Sequence, residues 1–212
     1  MNFETGDLYH IYNQGNDRVR IFFTHANYIL FLNKIKNHIQ PYADVLAWCL
    51  MPNHFHLMVY VHTLEIYSGK VLVDSLKNRS ADINDLLTHK TTINKSIGTL
   101  ESSYTRAINI QEDRSGSLFR THTHAECLTK IDLHTPPFFN TSDGTLINQH
   151  FAEKEYSQVC FNYIHNNPVK SGLVKHPEDW EFSSYRDYCG LRNEQLINRK
   201  RAEEFGLSIY AV

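Results

Sequence analysis

The chain has 212 residues, enough for one good hydrophobic core, and its 42% hydrophobic content is that of an ordinary globular protein. Lys and Arg total 21 against 23 Asp and Glu, a formal net charge of -2, which excludes bulk positive charge as a reason to bind nucleic acid and leaves only local patches. Cys49, Cys127, Cys160 and Cys189 have no C-x-x-C spacing, so neither a zinc cluster nor a disulfide framework is indicated; with no leader-like segment and no apolar run of about 18 residues, the expectation is a cytoplasmic protein with reduced thiols and no membrane span.

Residues 8–13 read as a short strand, ended by the flexible pair Gly15-Asn16. Over 27–40, Tyr28, Ile29, Phe31, Leu32, Ile35 and Ile39 recur at the three-to-four spacing of a buried helical face, and Pro41 stops the helix. Residues 45–50 are almost wholly apolar, as in a central strand covered on both faces, and Met51-Pro52-Asn53 turns the chain. The next strand, 54–61, alternates: Phe55, Leu57, Val59 and Val61 point one way, and His54, His56, Met58 and Tyr60 the other. The stretch 62–90 is polar and aperiodic, with one short helix expected around 83–87. A long helix is expected over 92–108, where Ile93, Ile97, Leu100, Tyr104 and Ile108 line one side and Gly98 weakens the element.

A fourth strand is expected over 117–125 and a turn-rich loop over 135–144. A third helix is expected over 152–166, with the stripe Tyr156, Val159, Cys160, Tyr163 and Ile164 and a stop imposed by Pro168. The tail adds Phe182 and Tyr188, with Trp180 and Tyr185 as anchors, and then a polar, partly basic helix over 193–205. Strand, helix, strand, strand, helix, strand is the order of an α+β, ferredoxin-like βαββαβ fold, an antiparallel sheet with helices on one face, here followed by a C-terminal helix. One domain over 1–212 is expected, with insertions near 63–91 and 131–151 and a C-terminal extension near 189–212.

If the odd-numbered residues of 54–61 pack under the helices, His54 and His56 stand on the opposite, uncovered face. Side chains two apart on a strand start about 7 Å apart, so two imidazoles can converge on one ion while a third ligand closes from elsewhere. Tyr163 and Asn167 are four apart on the third helix and project from the same side of it. Docking that side would bring the Asn167 amide oxygen to a metal and the Tyr163 hydroxyl to a phosphorus held beside it. Imidazole nitrogen plus amide oxygen, with positions left for phosphate oxygens, suits Mg²⁺ or Mn²⁺. His165 lies about 200° around the helix from Tyr163 and is not placed to serve as its base. His10, on the first strand, could approach the site face from a neighbouring strand, but the favoured expectation is a packed or hydrogen-bonded histidine.

The strings Met-Pro-Asn-His-Phe-His-Leu at 51–57 and Tyr-Ile-His-Asn-Asn-Pro-Val-Lys-Ser-Gly-Leu-Val at 163–174, followed by Pro-Glu-Asp-Trp-Glu-Phe-Ser-Ser-Tyr, resemble those of the REP-associated tyrosine transposases. These are relatives of the single-strand insertion-sequence transposases of the HUH superfamily. The likeness extends to Tyr9-His10-Ile11, Gly15-Asn16-Asp17-Arg18 with Ile21-Phe22, and Gly116-Ser-Leu-Phe-Arg120, and so spans about residues 8–188. The resemblance implies a ferredoxin-like fold with a catalytic helix, His54 and His56 as a metal pair, Asn167 as third ligand and Tyr163 as nucleophile. It also implies cleavage and rejoining of single-stranded or hairpin DNA through a 5′-phosphotyrosyl intermediate, by a monomer or homodimer. Candidate phosphate contacts are Arg18, Arg20, Lys77, Arg79, Arg106, Arg114, Arg120 and Lys170, with Arg199, Lys200 and Arg201 as a grip on a hairpin stem.

The chain departs from that family in its slightly negative charge and in His122 and His124, which stand in the fourth strand where basic residues are usual. A domesticated, non-cutting binder of folded DNA or RNA is the second reading, and its hallmark would be loss of the tyrosine or of a histidine; all three are present. A cupin-like oxygenase does not fit the interleaved helices, and a 2H phosphoesterase would need His-x-Ser/Thr elements.

Overall fold

The structure, a computed structural model, describes residues 1–67, 90–130, 138–141, 144–147, 153–192 and 196–209. Its centre is an antiparallel sheet of four strands, β1 (Leu8–Gln14), β2 (Ala43–Met51), β3 (His54–Val61) and β6 (His124–Cys127), in the order β2-β3-β1-β6. With α1 (His25–His38) between β1 and β2, and α2 (Ile93–Gln111) between β3 and β6, this is the ferredoxin-like arrangement, α+β. Two short strands, β4 (Glu65–Tyr67) and β5 (Lys90–Thr92), pair on the way from β3 to α2, and β7 (Phe138–Thr141) pairs with β8 (Gly144–Ile147). The last elements are α3 (Glu153–Lys170), α4 (Tyr185–Tyr188) and α5 (Arg199–Glu204).

Local chemistry explains the bounds. The Asn27 side-chain oxygen accepts from the N–H groups of Phe23 and Thr24 at 3.0 and 2.9 Å, so α1 begins two residues before the apolar stripe announces it. In α2 the Thr92 hydroxyl accepts from the Lys95 N–H at 3.3 Å, an N-cap. Between β2 and β3 the chain reverses over Pro52 and Asn53 alone, with Met51 opposite His54.

Each face of the sheet carries a core. Under α1 and α2 lie Phe31, Ile35, Ile97, Tyr104, Trp48, Phe55, Leu57 and Val59, with the Tyr104 hydroxyl donating to the Ile21 carbonyl at 2.8 Å. Against the other face α3 packs Tyr156, Cys160, Phe161 and Ile164 onto Leu46, Ala47, Cys49 and Met58. The face that α1 and α2 leave open is thus covered by α3, in keeping with the expected docking of its Tyr163 and Asn167 side against the histidines. The reason is the stripe on α3: Phe161 and Ile164 are fully buried, at about 1.5–3 kcal/mol per side chain, and the apolar second face of β2 is the surface that receives them.

Four expectations change. Helix α3 does not stop before Pro168 but runs through it to Lys170. Gly172, at φ +68°, ends it: its N–H bonds the Val169 carbonyl and the Leu173 N–H bonds the Pro168 carbonyl, a Schellman stop. The fourth strand begins at His124 rather than 117: residues 118–120 keep one isolated bridge to the end of β1, Gly15 to Phe119, with Asn16 N–H on the Leu118 carbonyl and Arg120 N–H on the Gln14 carbonyl, both at 2.9 Å, and side chains interrupt the pairing between there and His124. Asn13 donates to the Arg120 carbonyl, to Thr123 Oγ1 and to Glu101 at 3.0–3.2 Å. Part of the expected loop over 135–144 is the β7–β8 hairpin. The C-terminal helix is confined to α5, capped by the Asn198 side chain on the Arg201 N–H. Lys77, Arg79 and residues 83–87 and 193–195 lie outside the described residues.

Candidate functional site

The turn that precedes β3 is fixed from one side. The Pro52 carbonyl accepts from the N–H groups of Ile21 and Phe22 at 2.8 and 3.2 Å, and the Asn53 carbonyl accepts from the Gly15 N–H at 2.8 Å. Gly15 is demanded by closeness: a Cβ there would lie 2.2 Å from the Val19 carbonyl oxygen. From this anchored turn β3 sends His54 and His56 toward α3, whose side carrying Tyr163 and Asn167 meets them. The rings of His54 and His56 are 5.0 Å apart at 82°, and those of His56 and Tyr163 5.3 Å apart at 77°. Asn167 bridges the histidines, with Oδ1 3.3 Å from His54 Nε2 and Nδ2 3.2 Å from His56 Nε2. Residues more than a hundred apart in sequence thus share one site.

Proton positions follow from these contacts. His56 accepts from Asn167 at Nε2, so its Nδ1 carries the ring proton and donates to His10 Nε2 at 3.0 Å. His10 fixes the tautomer that leaves His56 Nε2 as a donor atom toward Asn167 and the cavity. His54 faces two amide oxygens, Asn53 Oδ1 at 2.6 Å and Asn167 Oδ1 at 3.3 Å, whereas a neutral imidazole has one N–H. Burial, partly offset by the Asn167 contact, holds His54 down at about 4, so it is neutral near pH 7. The Nε2 lone pair then opposes an amide oxygen lone pair, an arrangement a shared cation would resolve. Burial, with His54 and His10 adding to it, also keeps His56 far below its ordinary value, and burial alone takes His10 down to about 3. Neutral imidazoles beside an amide oxygen are metal-competent donors. Among the described residues no group of three or more His, Cys, Asp or Glu side chains could hold an ion, so the donor set on offer is two imidazoles and an amide.

Tyr163 is 8% exposed, and burial pushes its phenol up to about 12, against the Asn167 hydrogen bond, which lowers it. The Lys170 ammonium sits 5.5 Å from the centre of the Tyr163 ring, two turns along the same helix. These groups line a cavity of about 730 Å³ that also receives Arg18, Arg20, Arg120 and Lys170. Arg18 is presented by a strained turn, in which it and Asp17 adopt φ of +60° and +50°, a conformation that side-chain-bearing residues avoid.

Other expected residues lie elsewhere. Arg199, Lys200 and Arg201 do not line this cavity; α5 sits by the opposite end of β2, where Arg201 pairs with Asp44 at 3.3 Å and Glu204 at 2.6 Å. His165 points away from Tyr163, within 2.8 Å of the Ser184 hydroxyl. Trp180 anchors the tail by donating to the Leu50 carbonyl at 3.1 Å, while Tyr185 packs its ring on His165. His10 is buried and hydrogen-bonded as expected and does reach the site face, but its contact to His56 and the wall residue Tyr12 were not readable in advance. Alternation places both on the site face of β1, but only the register of β1 against β3 brings them to His56.

No protein-family model and no curated protein sequence matches the chain. Among solved structures it is similar to a REP-associated tyrosine transposase bound to a REP hairpin, at 15% identity over 94% of this chain and 95% of that one, with a TM-score of 0.49. A likeness of that degree assigns neither family nor chemistry. No helix among the described residues is long and apolar enough to cross a membrane.

Proposed function

We propose that this chain is a single-strand DNA endonuclease and strand-transferase of the HUH type, a transposase acting on hairpin-bearing DNA with Tyr163 as its nucleophile. The observation that carries the reading is the meeting of Tyr163 and Asn167, one turn apart on α3, with His54 and His56 of β3 in one arginine-rimmed cavity. A divalent cation, Mg²⁺ or Mn²⁺, held by His54, His56 and Asn167 would supply Lewis-acid polarisation of the scissile phosphate. The chain itself does the rest. Arg18, Arg20 and Arg120 neutralise the flanking phosphates, and α3 aims the phenol. Tyr163 Oη loses its proton and bonds to phosphorus while the bond from phosphorus to the 3′ oxygen breaks, and that oxygen leaves as a 3′-hydroxyl after taking up a proton. The Lys170 ammonium over the ring favours the phenolate that burial opposes. Attack by a 3′-hydroxyl on the phosphotyrosyl bond reverses the step and rejoins a strand.

The test is covalent trapping. Purified protein, Mn²⁺ and a hairpin oligonucleotide with single-stranded flanks should give an adduct that survives denaturation. Tyr163→Phe should give none, and His56→Ala should reduce it by at least about a hundredfold. A full adduct yield from Tyr163→Phe would remove Tyr163 as nucleophile, and tight binding with no adduct from the unaltered protein would favour a non-cutting binder.

A further inference from the structure

His124 stands where phosphate-binding side chains were expected, and the phosphate chemistry gives it no task. It lies on β6, the edge of the sheet, directly opposite Tyr12 of β1. The two rings are parallel, with centroids 5.0 Å apart and planes 13° from each other. Behind Tyr12 come His10 at 4.8 Å and His56 at 5.9 Å, and behind His56 comes Tyr163. A run of aromatic rings therefore leads from the candidate nucleophile to a solvent-exposed imidazole. Cross-strand pairing explains why Tyr12 and His124 meet. It does not explain why the outer ring is left exposed while lining the same cavity as Tyr163, Arg18 and Arg120.

Resting on the function proposed above, we infer that Tyr12 and His124 form a stacking step for an unpaired nucleobase next to the phosphodiester held at Tyr163. The flat face of His124 is the next position in a stack already built at ring-stacking distances. Every base has a π-face, so the step would grip a single strand without reading its sequence. Arg18 and Arg120 on the same cavity wall meet the charge of the adjoining phosphates, which a protein loop or a lipid tail would not bring. A duplex, with its bases paired and stacked internally, could not offer a free face to His124. The step therefore selects single-stranded flank over stem at that position.

The inference is tested with the full chain and a hairpin oligonucleotide whose single-stranded flank carries either 2-aminopurine or an abasic site at successive positions. At one position the abasic site should weaken binding about tenfold, and 2-aminopurine there should lose fluorescence on binding. His124→Ala should remove both effects while leaving the salt dependence of binding unchanged, because no phosphate contact is lost. His124→Phe should restore them. Binding that ignores abasic sites at every position, or discrimination that survives His124→Ala, overturns the stacking step and leaves the Tyr163 chemistry standing. Absence of any single-strand binding by the unaltered protein overturns both.

Discussion

At the scale of residues, the site was legible where its geometry is local and hidden where it depends on register. His54 and His56 share a strand face because they are two apart, and Tyr163 and Asn167 share a helix side because they are four apart. His10 is different: it meets His56 on the diagonal, since its direct partner across β1 and β3 is Met58, and no spacing in the sequence encodes that diagonal. His10 is 2% exposed, and its Nδ1 has no hydrogen-bond partner among the described residues, so its working contact is the one to His56. Its replacement should free His56 to turn or to take the other tautomer. His10→Phe is expected to weaken Mn²⁺ binding about 10- to 100-fold by isothermal titration, and His10→Gln, which keeps an acceptor, to recover part of the loss. Equal Mn²⁺ affinity in His10→Phe and the unaltered protein would leave His10 a packing residue only.

At the scale of elements, the strands and helices that bury an apolar face were foreseen closely, whereas ends set by one backbone geometry were not. Pro168 suggested a stop on α3, but Gly172 provides it, and the additional turn keeps Lys170 helical and over the Tyr163 ring. The same substitution at two glycines should therefore have opposite signs. Gly172 has φ of +68° and nothing within 4 Å of a built Cβ, so Gly172→Ala meets no clash but incurs backbone strain of about 1 kcal/mol. Gly98, exposed within α2, has equal space and no positive φ, so Gly98→Ala should stabilise by about 0.5–1 kcal/mol. Urea unfolding of the two variants checks the pair, and a matching sign would contradict these end assignments. The missed start of β6 has the same origin: nothing in the string 117–123 reveals that pairing with β1, begun at the Gly15–Phe119 bridge, is interrupted where the Asn13 side chain takes the Arg120 carbonyl and Thr123 Oγ1.

At the scale of the whole molecule, two cores sandwich one sheet, and buried histidines sit within them. Burial holds His165 down at about 3, and it titrates near 6.5 when exposed. Between those values the unfolded chain binds the extra proton, so stability rises with pH across that window and is lost as pH falls below about 6.5. The slope is up to about 1.4 kcal/mol per pH unit for each such histidine. Denaturation at about pH 5 and about pH 7 should give a clear difference for the unaltered protein and a smaller one for His165→Gln. An unchanged difference would mean that His165 is protonated in the fold.

The sequence order alone indicated the architecture, and the spacing of Tyr163 and Asn167 indicated that one side of α3 would dock at the histidine face; that the rest of its stripe would close that face over β2 was not indicated, because an amphipathic stripe tells a helix that it must pack and not where. That closure gives β3 a double duty with an arithmetic consequence. Its odd-numbered residues Phe55, Leu57, Val59 and Val61 belong to one core, and its even-numbered residues His54, His56 and Met58 face α3. Gain or loss of a single residue within the strand would exchange the two sets, pressing imidazoles against Phe31, and Phe55 or Leu57 against Tyr163. The paired histidines can drift only in steps of two, so the hydrophobic core polices their placement as strictly as the chemistry does.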